Sequence, residues 1–133
     1  MIVVGIVGPI GAGKTYVLDV MADCGVLTIR ADDISRELVA PGSRVARAIR
    51  DEFGAEYFDT AGQLHRKKLG RLIFSDETAR QRLNRLMYPA MKRGLSQKLS
   101  ALRSQPWPPR LAAVEAANLF EMKADALTDV TLN

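Results

Sequence analysis

A three-layer α/β fold, with a parallel sheet and a helical insertion between its second and third strands, is what this sequence predicts. Three observations lead there. Apolar runs of strand length stand at Ile2-Val3-Val4-Gly5-Ile6-Val7, Val26-Leu27-Thr28-Ile29 and Leu111-Ala112-Ala113-Val114. A glycine loop and a helical stretch link the first two, as a crossover between parallel strands requires. A long, mostly helical stretch then separates the second strand from the third.

The first strand leads into Gly8-Pro9-Ile10-Gly11-Ala12-Gly13-Lys14-Thr15. Strand, glycine loop and helix in that order are the setting in which G-x-x-x-x-G-K-[ST] denotes a phosphate-binding loop. The glycines allow successive backbone N–H groups to converge on phosphate oxygens, at the positive end of the new helix. Gly8, Ile10, Gly11, Ala12, Gly13, Lys14 and Thr15 are therefore the expected nucleotide contacts, with Lys14 on the β- and γ-phosphates and the Thr15 hydroxyl on Mg²⁺. Pro9 has no N–H to give and removes one donor. The fold class is thus a three-layer P-loop NTPase with a parallel sheet, and ATP and Mg²⁺ are its expected ligands.

The helix of residues 14–23 ends near Gly25, and the strand 26–29 brings Arg30-Ala31-Asp32-Asp33 to its carboxyl end, where open α/β sheets bind ligands. A helix from Asp33 to Val39 closes at Pro41-Gly42. Ser43 is a good N-cap for a helix over 44–53, which Gly54 ends. Asp59-Thr60-Ala61-Gly62 is a turn, and helices follow over about 66–74, 76–87 and 89–103, with Pro89 at a first turn or a kink. Gln105-Pro106-Trp107-Pro108-Pro109 is a rigid linker in which Trp107 is expected to plug an apolar face. The strand 111–114 ends at Glu115, a short helix or turn spans 118–126, and Val130-Thr131-Leu132 is a fourth strand. One domain results, with a nucleotide-binding core of about 1–40 and 110–133 and an insertion of about 41–109.

At 133 residues, with 47% hydrophobic and 26% charged, the chain has the composition of an ordinary globular domain. The lone Cys24 has no internal disulfide partner and is expected as a small core residue in a reducing compartment. The first apolar run is too short for a signal peptide or a membrane span, so a cytoplasmic protein is expected. The net charge of +4 comes from basic residues between Arg44 and Arg110. They read either as a solvated helical face or as a surface for a polyanionic small molecule. A nucleic-acid partner is not expected, because the segment has neither interleaved aromatics nor a nucleic-acid module.

Taken together, the phosphate loop, Ile29-Arg30-Ala31-Asp32-Asp33-Ile34-Ser35-Arg36, Val39-Ala40-Pro41-Gly42-Ser43, Asp59-Thr60-Ala61-Gly62-Gln63-Leu64-His65-Arg66, Ile73-Phe74-Ser75-Asp76, Leu83-Asn84-Arg85-Leu86-Met87-Tyr88-Pro89 and Leu119-Phe120-Glu121 resemble the dephospho-CoA kinase family along essentially the whole chain. The resemblance implies transfer of the γ-phosphoryl group of ATP to the ribose 3′-hydroxyl of dephospho-CoA. It assigns Asp32 as the carboxylate that orients the acceptor hydroxyl and takes its proton, beside Lys14 as a catalytic cation. The other reading of Asp32 is a cap on the helix starting at Asp33. Arg36, Arg66, Tyr88 and Glu121 are the implied substrate contacts; for the two arginines the alternative is a surface ion pair or a solvated residue. Glu115 stands where P-loop proteins carry a strand-end acid that helps hold the metal's waters, and Glu121 is its rival for that role. His65 matches no functional position and is expected to be exposed.

Several positions depart from the family pattern. Arg30 replaces an aspartate, Tyr88 a histidine and Pro9 a glycine, while Asn118 stands at an apolar position. The family continues past the point reached at Asn133 with an arginine-bearing lid, a strand and a helix, so a partner or second copy is expected over the sheet edge left open. Two alternatives to the kinase reading remain: a catalytically impaired ATP-binding module of the same fold, and a kinase of another nucleoside or nucleotide.

Overall fold

The computed structural model describes residues 1–8 and 14–132, without the side chains of Lys14 and Thr15. The elements are β1 (Ile2–Ile6), α1 (Lys14–Asp23), β2 (Leu27–Arg30), α2 (Ala31–Leu38), α3 (Arg44–Phe53), α4 (Arg66–Ser75), α5 (Glu77–Arg103), β3 (Leu111–Glu115) and β4 (Val130–Leu132), with single 3₁₀ turns at Ala55–Tyr57 and Ala124–Leu127. They divide into two compact units, residues 1–34 with 92–133 and residues 35–91.

The first unit holds a wholly parallel sheet in the order β2-β3-β1-β4. Parallel strands need both faces covered. On one face Val4 and Ile6 of β1 and Ala113 of β3 pack with Leu18 and Met21 of α1. On the other, Leu119 lies so close to β1 that a Cβ on Gly5 would stand 2.8 Å from its Cδ2. Only glycine fits there. The Asp129 carboxylate accepts the Val3 N–H at 2.7 Å, and the Asp129 N–H returns to the Val3 carbonyl at 2.8 Å, fastening β4 to β1. Gly94 of α5 meets Ile34 of α2 at similarly close range, 3.0 Å from its prospective Cβ to Ile34 Cγ2.

The second unit is helical, around Val39, Ala46, Ile49, Phe58, Leu64 and Leu69. Ser43 caps α3 as its type demands, its Oγ accepting the Ala46 N–H at 3.1 Å. The Asp59 carboxylate accepts from the N–H groups of Ala61 and Gln63 at 2.9 and 2.8 Å, and this turn brings Phe58 opposite Leu64. Much of the basic charge is spent inside the unit. Arg50 lies over the Phe58 ring at 5.0 Å, Lys68 over Tyr57 at 5.3 Å and Arg82 over Phe53 at 4.9 Å. Arg82 also pairs with Glu52 at 3.1 Å.

Four sequence expectations change. The helices expected over 76–87 and 89–103 are one helix, α5, with Pro89 inside it. Pro89 and Arg85 are both exposed, so the carbonyl that loses its N–H partner sits on the solvent side, where an interior proline costs least. The second strand is shifted by one residue and is half-exposed at the sheet edge rather than buried as its apolar run suggests, because among the described strands only β3 pairs with it. Cys24 is exposed, since it lies past the last turn of α1 where the chain turns at Gly25 (φ +84°). Trp107 is 90% exposed and plugs nothing; the pairing of β1 with β3 begins only at the Arg110 carbonyl.

Candidate active site

Parallel pairing brings the carboxyl ends of all four strands to one sheet edge. Arg30, Glu115, Ile6 and Leu132 form a row across it, each the register partner of the next. Hydrogen bonds from the Ala116 N–H to the Ile6 carbonyl (3.1 Å) and from the Val7 N–H to the Leu132 carbonyl (2.9 Å) extend the ladder past that row. From β1 the chain passes through buried Gly8 toward the loop and α1, which lies against β3 and β2. From β3 it turns the other way, to β4 beyond β1. The connections therefore diverge between β1 and β3, which is where open α/β sheets leave a crevice for a ligand.

Register partners in a parallel ladder point to the same face. Glu115 and Arg30 share a row with Ile6, whose side chain packs under α1, so both stand on the α1 side of the edge. Arg30 Nη2 lies 3.5 Å from Asp19 Oδ1 of α1. Asp32 is the second residue of α2, exposed, immediately beyond the end of β2. Because α2 starts at Ala31, Asp32 sits in the first turn and does not cap a helix beginning at Asp33. It is well placed against the helix dipole in either role.

Among the expected nucleotide contacts, Ile10, Gly11, Ala12, Gly13 and the side chains of Lys14 and Thr15 lie outside the described residues, as does Pro9. Their flanks are described: Gly8 at the end of β1, and a helix whose first residues are Lys14 and Thr15. Among the described residues there is no group of three or more His, Cys, Asp or Glu placed to hold a metal. Mg²⁺ in phosphate sites takes few protein ligands, so a single carboxylate at the sheet edge suits it chemically.

The expected substrate contacts fall in both units. Glu121 is exposed in the turn after β3, in the first unit. Arg36 on α2, Arg66 at the start of α4 and half-buried Tyr88 on α5 belong to the second. Of these, Arg66 lines a cavity of about 590 Å³ within the second unit, floored by Val39, Ile49, Leu64, Leu69, Leu83 and Met87. His65, just before α4, is exposed as expected.

Three other residues at that cavity, Phe74, Glu77 and Arg80, have no individual role assigned from the sequence. Phe74 is 94% exposed at the cavity wall. Glu77 and Arg80 form an ion pair one helical turn apart, and the hydrogen bond from Arg80 holds the Glu77 carboxyl below the usual carboxylate range. The same bond raises the Arg80 guanidinium further above its already strongly basic value. Their i,i+3 spacing was a visible signal for the pair; nothing local marked Phe74 as unburied.

Comparison with known proteins agrees with this fold. The sequence profile of the dephospho-CoA kinase family matches residues 2–133. The dephospho-CoA kinase of Moorella thermoacetica is 36% identical over 129 residues, 97% of this chain and 60% of that protein. That of Frankia casuarinae is 35% identical over 132 residues, 99% of this chain and 56% of the relative. The crystal structure of a Thermus thermophilus protein superimposes with a TM-score of 0.76 at 27% identity, over 98% of this chain and 63% of the other. The chain thus spans a little over half the length of these curated relatives.

Proposed function

The chain belongs to the dephospho-CoA kinase family, and from that premise we propose that it transfers the γ-phosphoryl group of ATP to the ribose 3′-hydroxyl of dephospho-CoA, the last step of coenzyme A biosynthesis. The observation that carries the proposal is the sheet edge. That edge carries Gly8 just past β1, Glu115 in register with Ile6, and Asp32 just past β2, and α1 begins at Lys14 and Thr15.

The loop amides from Gly11 to Thr15 and the Lys14 ammonium hold the phosphates of ATP. Thr15 and Glu115 would hold Mg²⁺, the first through its hydroxyl and the second through the metal's waters. Mg²⁺, when bound, neutralises charge on the β- and γ-phosphates. Asp32, exposed and able to meet an incoming hydroxyl, accepts a hydrogen bond from the 3′-OH and then its proton. The 3′-oxygen forms its bond to the γ-phosphorus as the bond to the bridging oxygen of ADP breaks. Most of the rate comes from positioning and charge neutralisation rather than covalent chemistry.

Acceptor recognition is assigned to the second unit's cavity, whose apolar floor suits an uncharged chain and whose Arg66 suits a phosphate. Arg36, Tyr88 and Glu121 are the remaining acceptor contacts on this reading. No described helix is long and apolar enough to cross a membrane, and on this reading the protein works in the cytoplasm. The edge of β4, where Val130 and Leu132 are about half exposed, is available to a further strand.

The test is turnover: purified chain with Mg-ATP and, in parallel, dephospho-CoA or a panel of nucleosides and nucleotides, read by mass spectrometry, beside Lys14→Ala. Coenzyme A formed by the wild type and not by the variant supports the proposal. Product from another acceptor alone makes the chain a different kinase, and ATP binding without any product makes it a binding module.

A further inference from the structure

We infer that Gly70 is a specificity-determining position of the acceptor site: the side chain it lacks leaves the space in which the uncharged pantetheine arm of dephospho-CoA lies. The inference rests on the acceptor-binding part of the function proposed above and uses residues of the second unit alone.

Gly70 stands in the middle of α4, Arg66–Ser75. A glycine inside a helix is less stable than an alanine there, so its presence calls for a reason. Neither of the usual reasons applies. Its backbone does not have the positive φ of Gly42 (+79°) and Gly62 (+82°) in the same unit. Nor is it crowded as Gly94 is, since a Cβ built on Gly70 meets no atom of the described residues within 4 Å. The position is open, and what it opens onto is the cavity, which Gly70 lines.

Helical periodicity gives the gap its setting. Residues 66, 70, 73 and 74 share one face of α4, and all four line the cavity. Arg66 and Phe74 lie two turns apart, about 12 Å along the axis, with Gly70 midway. That face therefore runs from a guanidinium, through a gap one side chain wide, to a phenyl ring that is 94% exposed. Apolar side chains, among them Val39, Ile49 and Leu69, floor the same cavity of about 590 Å³, a size usual for small-molecule sites. Dephospho-CoA carries groups in the same order, a diphosphate followed by a chain of methylenes and amides with no charge. With the diphosphate at Arg66, the chain passes the gap and reaches the Phe74 ring. A long side chain at position 70 would stand across that path.

A glycine with no part in binding makes a different prediction. Filling the position would then leave the acceptor's affinity alone. The experiment is calorimetric titration of the whole chain with dephospho-CoA and, separately, with Mg-ATP, for the wild type, Gly70→Ala, Gly70→Leu and Gly70→Met, with thermal unfolding of each protein without ligand. Gly70→Ala is expected to raise Tm by roughly 2–5 °C, the gain from a better helix former. Gly70→Leu and Gly70→Met are expected to weaken dephospho-CoA about ten-fold, the apolar contact of about two methylene groups, and to leave the affinity for Mg-ATP unchanged. Phosphopantetheine, the arm with its own phosphate, is expected to compete with dephospho-CoA on the wild type and to compete about ten-fold less well on Gly70→Leu. Wild-type affinity for dephospho-CoA in Gly70→Leu overturns the inference, as does phosphopantetheine that competes equally on both proteins or on neither. A lowered Tm in Gly70→Ala also overturns it, because the glycine then has a structural reason. If Gly70→Leu is found unfolded, Gly70→Met decides by the same affinities. A wild-type chain that binds Mg-ATP but not dephospho-CoA overturns the acceptor reading and this inference with it, and is told apart from the other failures because no substitution is involved.

Discussion

Replacing Gly5 by alanine tests how closely the two layers over β1 are fitted. The added Cβ would stand 2.8 Å from Leu119 Cδ2, 3.0 Å from Thr128 Cγ2 and 3.4 Å from Thr131 Oγ1, where carbon atoms prefer roughly 3.5–4.0 Å. Leu119 is fully buried and has no open space to swing into, so the methyl group must push strand and turn apart. Overpacking of this sort costs about 1–3 kcal/mol. Some of it is offset, because alanine gives up less backbone entropy on folding than glycine, by roughly 0.5–1 kcal/mol. For a domain of this size a net loss of about 1–2 kcal/mol lowers Tm by roughly 3–10 °C. Urea and thermal unfolding of Gly5→Ala, Leu119→Ala and the double variant measure it. Leu119→Ala alone should cost about 2–5 kcal/mol through its cavity, and the double variant should cost less than the sum by about 1 kcal/mol, since each change relieves the other. A Tm unchanged in Gly5→Ala, or strict additivity in the double variant, would refute the reasoning.

Three further outcomes follow from the same geometry. Phe74→Ala, which removes the exposed ring at the cavity, should raise KM for the acceptor by roughly ten-fold, the share of a buried phenyl lost on binding, while the affinity for ATP stays unchanged by calorimetry. Asp129→Ala strands the buried Val3 N–H and should cost about 1–3 kcal/mol in urea unfolding, with Asp129→Asn recovering part because an amide oxygen can still accept. The Glu77 carboxyl is held below the usual carboxylate range by Arg80, so this exposed pair adds stability at neutral pH and loses it as pH falls below about 4. Glu77→Gln should therefore unfold slightly more easily than the wild type at pH 7, and the two melting curves should converge in acid.

Local chemistry explains which parts of this molecule were legible in its sequence. The helix after the glycine loop starts and ends where its pattern says, and Ser43 and Asp59 make the cap and turn bonds that their side chains favour. Pro89 misled because the cost of an interior proline falls when its orphaned carbonyl faces water, which is a tertiary property. Cys24 and Trp107 misled for a related reason: residue type gives a prior for burial, but whether a neighbouring element covers the position is decided elsewhere in the chain. The candidate site shows the same division. The loop, Asp32 and Glu115 are proposed from motif, strand end and resemblance, whereas the row that sets Arg30 beside Glu115 and Glu115 beside Ile6 depends on strand order and register. Those pairings join residues far apart in sequence, and no local pattern encodes them.

The central claim is that Asp32 takes the proton from the acceptor hydroxyl while the loop holds ATP independently of it. Single-turnover transfer from Mg-ATP to dephospho-CoA, measured for the wild type and Asp32→Asn together with the ATP affinity of each, tests this most directly. The account predicts a rate lower by about 10²–10⁴ in Asp32→Asn with ATP affinity within about two-fold of the wild type. Equal rates in the two proteins would contradict it.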